Sequence, residues 1–336
     1  MGIIFALLGL WGLSFLISQI DFGGDSSDNS NNEDDHIEAE GPNQTTSGTS
    51  IDDVILGTEG NDSIEGRGGD DTIYARGGND AVSGGTGDDR VFLGDGDDGW
   101  NSSGVVNSGD GGNDFVRGGA GDDLIRGAAG NDSLYGDTGH DELFGHSGED
   151  LLTGGWGNDY LGGGANDDTL LGGEGNDDLR GADGDDLMRG GAGNDNLNGG
   201  EGADTLLGED GDDRFVLDDG DEAEGGRGDD RFIVQGGAEI TGGGGDDRVW
   251  AQYESDWAGP VVIKDFDPDE DFLTVEPQGT IPGASYNGSG DLLPSSYRIS
   301  SAGGNAQIFV GSHLVAVIEN TAPGELDSGN LLLVHA

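Results

Sequence analysis

Apolar residues recur every nine positions along most of the chain, and each lies between polar or glycine residues. The first complete units, starting at Gly57, read GTEGNDSIE, GRGGDDTIY and ARGGNDAVS, with an apolar residue at the eighth position of each. This alternation predicts a three-residue strand with one inward side chain, preceded by a six-residue turn rich in Gly and Asp. A fixed short period of this kind indicates a solenoid, in which each unit packs on its neighbours.

Nineteen full units are present, at residues 57–101, 109–216, 225–233 and 242–250. The sixth position is Asp in all 19 and the fourth is Gly in 18, with Asn166 as the exception. A seven-residue insertion at 102–108 and two short stretches at 217–224 and 234–241 interrupt the period. Residues 48–56 fit as a degenerate opening unit, with Asp53 and Ile55 in the sixth and eighth places.

The glycines and the aspartates of the repeat have different explanations. Gly at the first and fourth positions supplies backbone angles that tight turns need. The Asp has no such steric reason. With two strands per coil, every second turn is in register, so carboxylates 18 residues apart stack at about 4.8 Å in two rows. Such rows repel themselves unless cations lie between the turns, and an oxygen-only donor set suits Ca²⁺ better than Mg²⁺.

The composition narrows the choice of partners. The 336 residues include 69 acidic and 13 basic side chains, giving a net charge of -56. Nucleic acids and anionic membrane surfaces are therefore excluded as partners, because both require basic patches. There is no Cys, and only 32% of the residues are apolar, so neither disulfides nor a large core can hold the fold together. Calcium ions remain as the expected partner.

The repeat resembles the RTX, or haemolysin-type, calcium-binding nonapeptide GGxGxDxUx. The resemblance implies an all-β fold, a parallel β-roll with calcium between its turns, in which the sixth-position Asp is the side-chain ligand. If each ion bridges a unit and the second unit after it, the two uninterrupted runs hold about 13 calcium ions. The implied ligands are Asp62, Asp71, Asp80, Asp89, Asp98, Asp114, Asp123, Asp132, Asp141, Asp150, Asp159, Asp168, Asp177, Asp186, Asp195, Asp204, Asp213, Asp230 and Asp247. The interruptions are expected to disturb the sites beside them.

The chain ends differ from the repeats. Residues 1–20 contain an almost uninterrupted apolar run at 3–20, which predicts either a membrane anchor or a secretory signal. Residues 21–47 are acidic and nearly devoid of apolar side chains, which predicts a disordered linker before the roll at 48–250. Both readings of residues 3–20 imply export.

Residues 251–336 lack the period, and their strand-like runs predict a small β domain that caps the roll. These runs are residues 261–263, 272–275, 307–310, 314–318 and 331–334. The stretch IKDFDPDEDFL, which starts at Ile263, resembles the segment that follows the repeats in many RTX proteins. The final residues, ELDSGNLLLVHA, resemble the C-terminal signals of type I secretion substrates, with a capping strand as the alternative.

The repeats show no arrangement of catalytic side chains. The segment GHSGE at 145–149 lacks the second glycine of a hydrolase elbow, and His140 and His146 lack the HExxH spacing. We therefore expect an exported, non-catalytic calcium-binding protein that folds when it meets extracellular calcium. A surface adhesin or spacer held by residues 3–20, and an accessory module of a secreted hydrolase or epimerase, are the alternatives.

Most arginines fall at the outward positions seven and nine of the repeat. They are expected to offset the negative surface, and a binding stripe is the alternative interpretation. These arginines are Arg90, Arg117, Arg126, Arg180, Arg189, Arg214, Arg231 and Arg248.

Overall fold

The computed structural model describes residues 35–39, 41–100, 111–252, 259–276, 278, 297–326 and 330–333. The apolar segment 3–20 lies outside the described residues, as does most of the predicted linker. From Asp34 onward the chain forms one compact unit. Within the described part, every regular element is a β-strand, and no helix is long and apolar enough to cross a membrane.

The strands are short and evenly spaced along the chain. They are β1 (Asp35–Glu38), β2 (Thr45–Ser47), β3 (Asp53–Leu56), β4 (Ser63–Gly68), β5 (Thr72–Gly77), β6 (Ala81–Thr86), β7 (Arg90–Asp95), β8 (Gly99–Trp100), β9 (Phe115–Ala120), β10 (Leu124–Ala129), β11 (Ser133–Thr138), β12 (Glu142–Ser147), β13 (Leu151–Trp156), β14 (Tyr160–Ala165), β15 (Thr169–Glu174), β16 (Asp178–Asp183), β17 (Leu187–Ala192), β18 (Asn196–Glu201), β19 (Thr205–Asp210), β20 (Arg214–Leu217), β21 (Glu222–Arg227), β22 (Arg231–Val234), β23 (Glu239–Gly244), β24 (Arg248–Ala251), β25 (Val261–Ile263), β26 (Phe272–Val275), β27 (Tyr297–Ala302), β28 (Asn305–Val310), β29 (His313–Ile318) and β30 (Leu331–Leu333).

Alternate strands form two facing sheets. The first sheet takes the odd-numbered strands from β1 to β25 and then β29, β28 and β27, whereas the second takes the even-numbered strands from β2 to β26 and then β30. Neighbouring strands within the repeats are parallel and usually 18 residues apart, as in the pairing of Leu134 with Leu152. The prediction of a parallel solenoid with two strands per coil is therefore confirmed.

The strands are longer and the turns shorter than the sequence predicts. A typical strand has six residues, because the pairing between coils continues past the apolar residue, as where Asp137 pairs with Gly155 and Thr138 with Trp156. Only the fourth to sixth positions of the unit remain as a turn. The fourth position has a left-handed backbone, as at Gly175 with φ 141°, and Asn166 adopts the same region at φ 83°. The second position also has positive φ, so the strand is bent there.

The core is a single file of side chains from each sheet. Every eighth-position residue whose burial the structure describes is buried, from Ile64 to Val249, and the residues on either side face outward. Near the C-terminal end of the repeats Phe215 and Phe232 stack with their ring centroids 4.7 Å apart. One inward side chain per unit makes a thin core, as the repeat pattern predicts.

The solenoid extends beyond the repeats at both ends. β1 and β2 lie inside the segment predicted as linker, because parallel main-chain pairing with β3 and β4 orders them with little apolar side chain. After the repeats, β25 and β26 continue the two sheets, and β29 and β30 add to them in parallel. The C-terminal strands are thus part of the same sheets, and only β27 and β28 depart from the parallel pattern, as an antiparallel pair at the edge.

Candidate calcium-binding rows

All 19 sixth-position aspartates are buried, each with at most 6% of its surface exposed. Each ends a turn just before a strand, so the topology brings them into two continuous rows, one along each side of the solenoid. The first row contains Asp53, Asp71, Asp89, Asp114, Asp132, Asp150, Asp168, Asp186, Asp204 and Asp221. The second contains Asp62, Asp80, Asp98, Asp123, Asp141, Asp159, Asp177, Asp195, Asp213, Asp230, Asp247 and Asp271.

In every member of the rows except Asp53, one carboxylate oxygen joins the residue to the preceding coil. The Oδ1 atom of Asp132 accepts a hydrogen bond of 2.8 Å from the main-chain N–H of Asp114, one coil earlier, and the same contact recurs along both rows. The contact persists across the seven-residue insertion, where Asp98 N–H donates to Asp123 Oδ1 at 2.9 Å. It also persists across a short stretch, from Asp213 to Asp230. The insertion and the first short stretch therefore change the spacing along the chain without breaking the rows. At the second short stretch, Ala238 stands where the next coil would place an Asp, and the first row ends at Asp221.

The other carboxylate oxygen has no donor over most of each row. Within the part of the chain that the structure describes, fifteen buried Oδ2 atoms have no hydrogen-bond partner. A buried oxygen that keeps its charge and lacks a partner is costly, since it has lost its hydration. These atoms belong to Asp71, Asp80, Asp98, Asp123, Asp132, Asp141, Asp150, Asp159, Asp168, Asp177, Asp186, Asp195, Asp204, Asp213 and Asp230.

The electrostatics of the rows reflect this burial. Burial, together with the neighbouring carboxylates of the row, raises the pKa of Asp114 and of Asp123 to about 8, although the main-chain hydrogen bond acts in the opposite direction. The pKa of Asp132 is raised to about 7 for the same reasons. The interior of the roll therefore disfavours the ionised carboxylates unless positive charge is supplied.

The donor set fits a hard cation. The rows offer only oxygen, and in many coils a main-chain carbonyl lies near the carboxylate, as where an ideal Cβ on Gly172 would meet both Asp177 Oδ2 and Gly190 O. Ca²⁺ accepts such mixed carboxylate and carbonyl shells. Among the residues that the structure describes, no three His, Cys, Asp or Glu side chains converge on one point. A bound ion would therefore take part of its shell from carbonyl oxygens.

The first and last members of each row differ from the rest. At the start of the rows, Thr49 and Thr58 donate their main-chain N–H groups to the Oδ2 atoms of Asp53 and Asp62, at 2.6 and 2.7 Å. Both threonine hydroxyls reach the same oxygens. At the far ends, Oδ2 of Asp221 accepts from Asp218 N–H, and Oδ2 of Asp271 accepts from Asp267 N–H, each at 2.7 Å. These four carboxylates are held by their own turns.

Three members of the rows, Asp53, Asp221 and Asp271, were not among the predicted ligands, because none of them lies in a unit with the full glycine pattern. Each is nevertheless followed two positions later by a buried apolar residue, namely Ile55, Ala223 or Leu273. The combination of an Asp and an apolar residue two positions later is the signal that would have found them.

A second set of side chains runs along the outside of the turns. The fifth-position residue accepts a hydrogen bond from the N–H of its counterpart one coil later, as where Asn158 Oδ1 accepts from Asn176 N–H at 2.8 Å. His140 belongs to this set, and its Nδ1 accepts from Asn158 N–H at 2.8 Å. This histidine therefore has a structural role in the turn, and it does not form a pair with His146.

Comparison with known proteins agrees with the geometry. The chain matches the family described as RTX calcium-binding nonapeptide repeat (4 copies) at residues 47–82, 74–99, 108–143, 126–161, 135–170, 162–197 and 189–221. No curated protein is similar to the whole sequence. Through these residues the chain belongs to the RTX calcium-binding repeat proteins, and its fold is the parallel β-roll.

Three solved structures are similar to the chain. One is a hyperactive, Ca²⁺-dependent, β-helical antifreeze protein from an Antarctic bacterium, with 23% identity, 74% of this chain and 86% of that chain covered, and a TM-score of 0.48. Another is the AlgE6R3 subunit of the Azotobacter vinelandii mannuronan C5-epimerase, with 24% identity, coverages of 54% and 80%, and a TM-score of 0.17. The third is the extracellular lipase LipA from Serratia marcescens, with 15% identity, coverages of 70% and 41%, and a TM-score of 0.22.

Proposed function

We propose that this protein is an exported, non-catalytic calcium-binding protein whose repeats fold into the β-roll when the ion binds outside the cell. The observation that carries the proposal is the set of buried Oδ2 atoms without a hydrogen-bond donor. Calcium placed between adjacent coils would supply both the missing partner and the missing positive charge. Because such sites form only when the coils stack, the free energy of binding becomes free energy of folding.

The ligands in this proposal are the sixth-position aspartates other than Asp62, with the interior members of the rows as the strongest. Asp62 differs from them, because both its oxygens already accept hydrogen bonds, from Gln44 and Thr58. Since the rows continue through the insertion and the first short stretch, one ion between each pair of coils would exceed the number of about 13 that the uninterrupted runs give. Metal analysis of the dialysed protein measures this number.

The non-catalytic part of the proposal rests on the use of the polar side chains. The sixth-position carboxylates and the fifth-position side chains are engaged in joining one coil to the next, which leaves them unsuited to proton transfer on a substrate.

The test is a calcium titration of the full chain followed by far-ultraviolet circular dichroism, with magnesium as the control. We expect a cooperative gain of β signal with calcium, little change with magnesium, and reversal by a chelator. A chain that keeps its full β spectrum after chelation would overturn the proposal.

Export is tested separately by fractionation of the source cells. An N-terminally trimmed, fully soluble product outside the cell means that residues 3–20 are a cleaved signal. An untrimmed product in the membrane fraction means that they anchor the roll to the surface, which favours the adhesin or spacer. Retention in the cytoplasm contradicts both.

A further inference from the structure

Three arginines stand side by side on the outer face of the second sheet. Arg214, Arg231 and Arg248 begin β20, β22 and β24, and they pair in register along the sheet. All three side chains are exposed. Neighbouring parallel strands lie about 4.8 Å apart, so three positive charges are held at this interval. Like charges in such an arrangement repel one another unless an anion lies over them.

These arginines do not have the counter-ions that other arginines of the chain have. Five arginines, on either sheet, form ion pairs with carboxylates, namely Arg67, Arg117, Arg180, Arg189 and Arg227. Within the described part of the chain, Arg231 and Arg248 make no ion pair or hydrogen bond, and Arg214 donates only to the neutral amide oxygen of Asn196, at 2.7 Å. In a protein with 69 acidic residues, this lack of carboxylate partners needs an explanation.

The nearest turn carboxylates are occupied along the turn. Asp212 Oδ1 accepts from Asp229 N–H, and Asp229 Oδ1 accepts from Asp246 N–H, each at 2.9 Å. These bonds engage one oxygen of each of the two carboxylates in the fifth-position ladder, and among the described residues neither carboxylate forms an ion pair with the arginine two residues later. The positive charge of the three arginines is therefore available to a ligand.

An apolar strip runs beside the arginines and completes a groove of about 640 Å³. Ile233, Trp250, Phe272 and Thr274 line it together with the arginines. Trp250 is 41% exposed, and its Nε1 donates to Glu276 Oε2 at 3.0 Å, which fixes the orientation of the indole ring. The groove thus presents a flat aromatic surface next to three fixed positive charges.

We propose that this groove binds an acidic oligosaccharide, with the guanidinium groups on the carboxylates of successive sugar rings and Trp250 against a ring face. Planar guanidinium groups pair well with carboxylates, and an aromatic ring packs on the C–H face of a sugar. An extended acidic peptide fits less well, because its side chains on one face are about 6.7 Å apart. The proposal goes beyond calcium binding and requires only that the roll be folded.

The test is calorimetric titration of the full chain in saturating calcium with a glucuronate hexasaccharide. A neutral glucose hexasaccharide and a hexa-aspartate peptide are titrated in parallel. The variant Arg231→Gln/Arg248→Gln removes the two unpaired charges, and Trp250→Ala removes the aromatic surface. The matched control is Arg189→Gln/Arg227→Gln, which removes the same charge from ion-paired arginines of the first sheet.

We expect the native protein and the control to bind the acidic sugar equally, the arginine double variant to bind it about 30-fold more weakly, and Trp250→Ala about 10-fold more weakly. Equal binding of the neutral sugar, tighter binding of the peptide, unchanged affinity of both variants, or no binding by the native protein would each overturn the proposal. Circular dichroism of the same samples shows whether the roll is folded, so a failure of calcium-dependent folding is distinguished from a failure of sugar binding.

Discussion

The carboxylates at the ends of the two rows and those between them are the same residue type in the same position of a turn, yet their second oxygens are used differently. At the ends, N–H groups of the same turn satisfy Oδ2, as Thr58 does for Asp62. Between the ends, the corresponding atom is buried without a donor, as in Asp168. The Oδ2 atoms at the row ends are therefore satisfied by the protein alone, whereas those of the interior coils require a cation or a proton.

The largest expected effect is that of pH on the stability of the calcium-free roll. Because burial raises the pKa of Asp71 to about 6, of Asp132 to about 7 and of Asp114 to about 8, the calcium-free folded roll binds more protons than the unfolded chain between about pH 4 and pH 8. The calcium-free roll should therefore be most stable at the acid end of this window and lose stability as the pH rises. Circular dichroism of chelated protein at pH 5.5 and pH 8 should show more β signal at pH 5.5.

Saturating calcium should reverse the sign of this dependence, because protons then compete with the bound ion. A calcium-free sample with more β structure at pH 8 than at pH 5.5 would contradict the assignment of the interior carboxylates as the unsatisfied groups.

The next effect compares one interior carboxylate with one end carboxylate. Asp168→Asn removes an oxygen without a donor, so we expect it to stabilise the calcium-free roll at pH 8 and to destabilise the calcium-bound roll by about 3 kcal/mol, as when one partner of a buried ion pair is lost. Asp62→Asn removes an acceptor of protein hydrogen bonds, so it should cost about 1 kcal/mol whether calcium is present or not. Urea unfolding with and without calcium measures all four values. If both variants responded equally to calcium, the proposed difference between interior and end carboxylates would be wrong.

A smaller effect is expected from the glycine of the turn. In an interior coil, Gly175 has φ 141°, and an ideal Cβ there would lie 1.4 Å from the carbonyl oxygen of Gly157. In the first coils, Gly60 has no left-handed angle, and its nearest neighbour is the flexible side chain of Asn43. Gly175→Ala should therefore destabilise the calcium-bound roll by about 2 kcal/mol and Gly60→Ala by less than half of that, measured by thermal unfolding. A reversed order would contradict the geometry of the interior turn.

The smallest effect concerns the hydroxyl at a row end. Thr58 Oγ1 donates to Asp62 Oδ2 at 2.9 Å, so Thr58→Ala should cost about 1 kcal/mol and leave the calcium midpoint unchanged. Thr138→Ala is the control, because the hydroxyl of Thr138 contacts only an exposed carbonyl at 3.2 Å. A shift of the calcium midpoint in Thr58→Ala would mean that the end carboxylate also holds an ion.

The period of the sequence was sufficient to predict the solenoid, the two rows and the inward file of apolar residues. These features depend on side chains that repeat, such as Asp62 with Ile64 and Asp71 with Ile73, and alternation alone assigns them to the inside. The predicted C-terminal strands Val261–Ile263 and Phe272–Val275 were also confirmed.

Other features depend on main-chain pairing, which the pattern of side chains does not predict. The second half of each strand is rich in glycine, so its sequence predicts a turn. Pairing between coils orders it as strand instead. Parallel pairing likewise orders β1 and β2 in a segment with the composition of a linker. The position of β29 beside β25, with β26 to β28 intervening in the chain, is a long-range contact that no local pattern predicts.

The two rows accommodate several chain lengths between consecutive aspartates. Consecutive aspartates are usually 18 residues apart, but 17 residues separate Asp213 from Asp230, 24 separate Asp247 from Asp271, and 25 separate Asp98 from Asp123. Gene duplications of whole coils, and insertions at a turn, can therefore be accepted in evolution without loss of the ladder. The insertion at 102–108 identifies a position at which a foreign peptide could be displayed on the roll, and the number of coils becomes a quantity that protein engineers can choose.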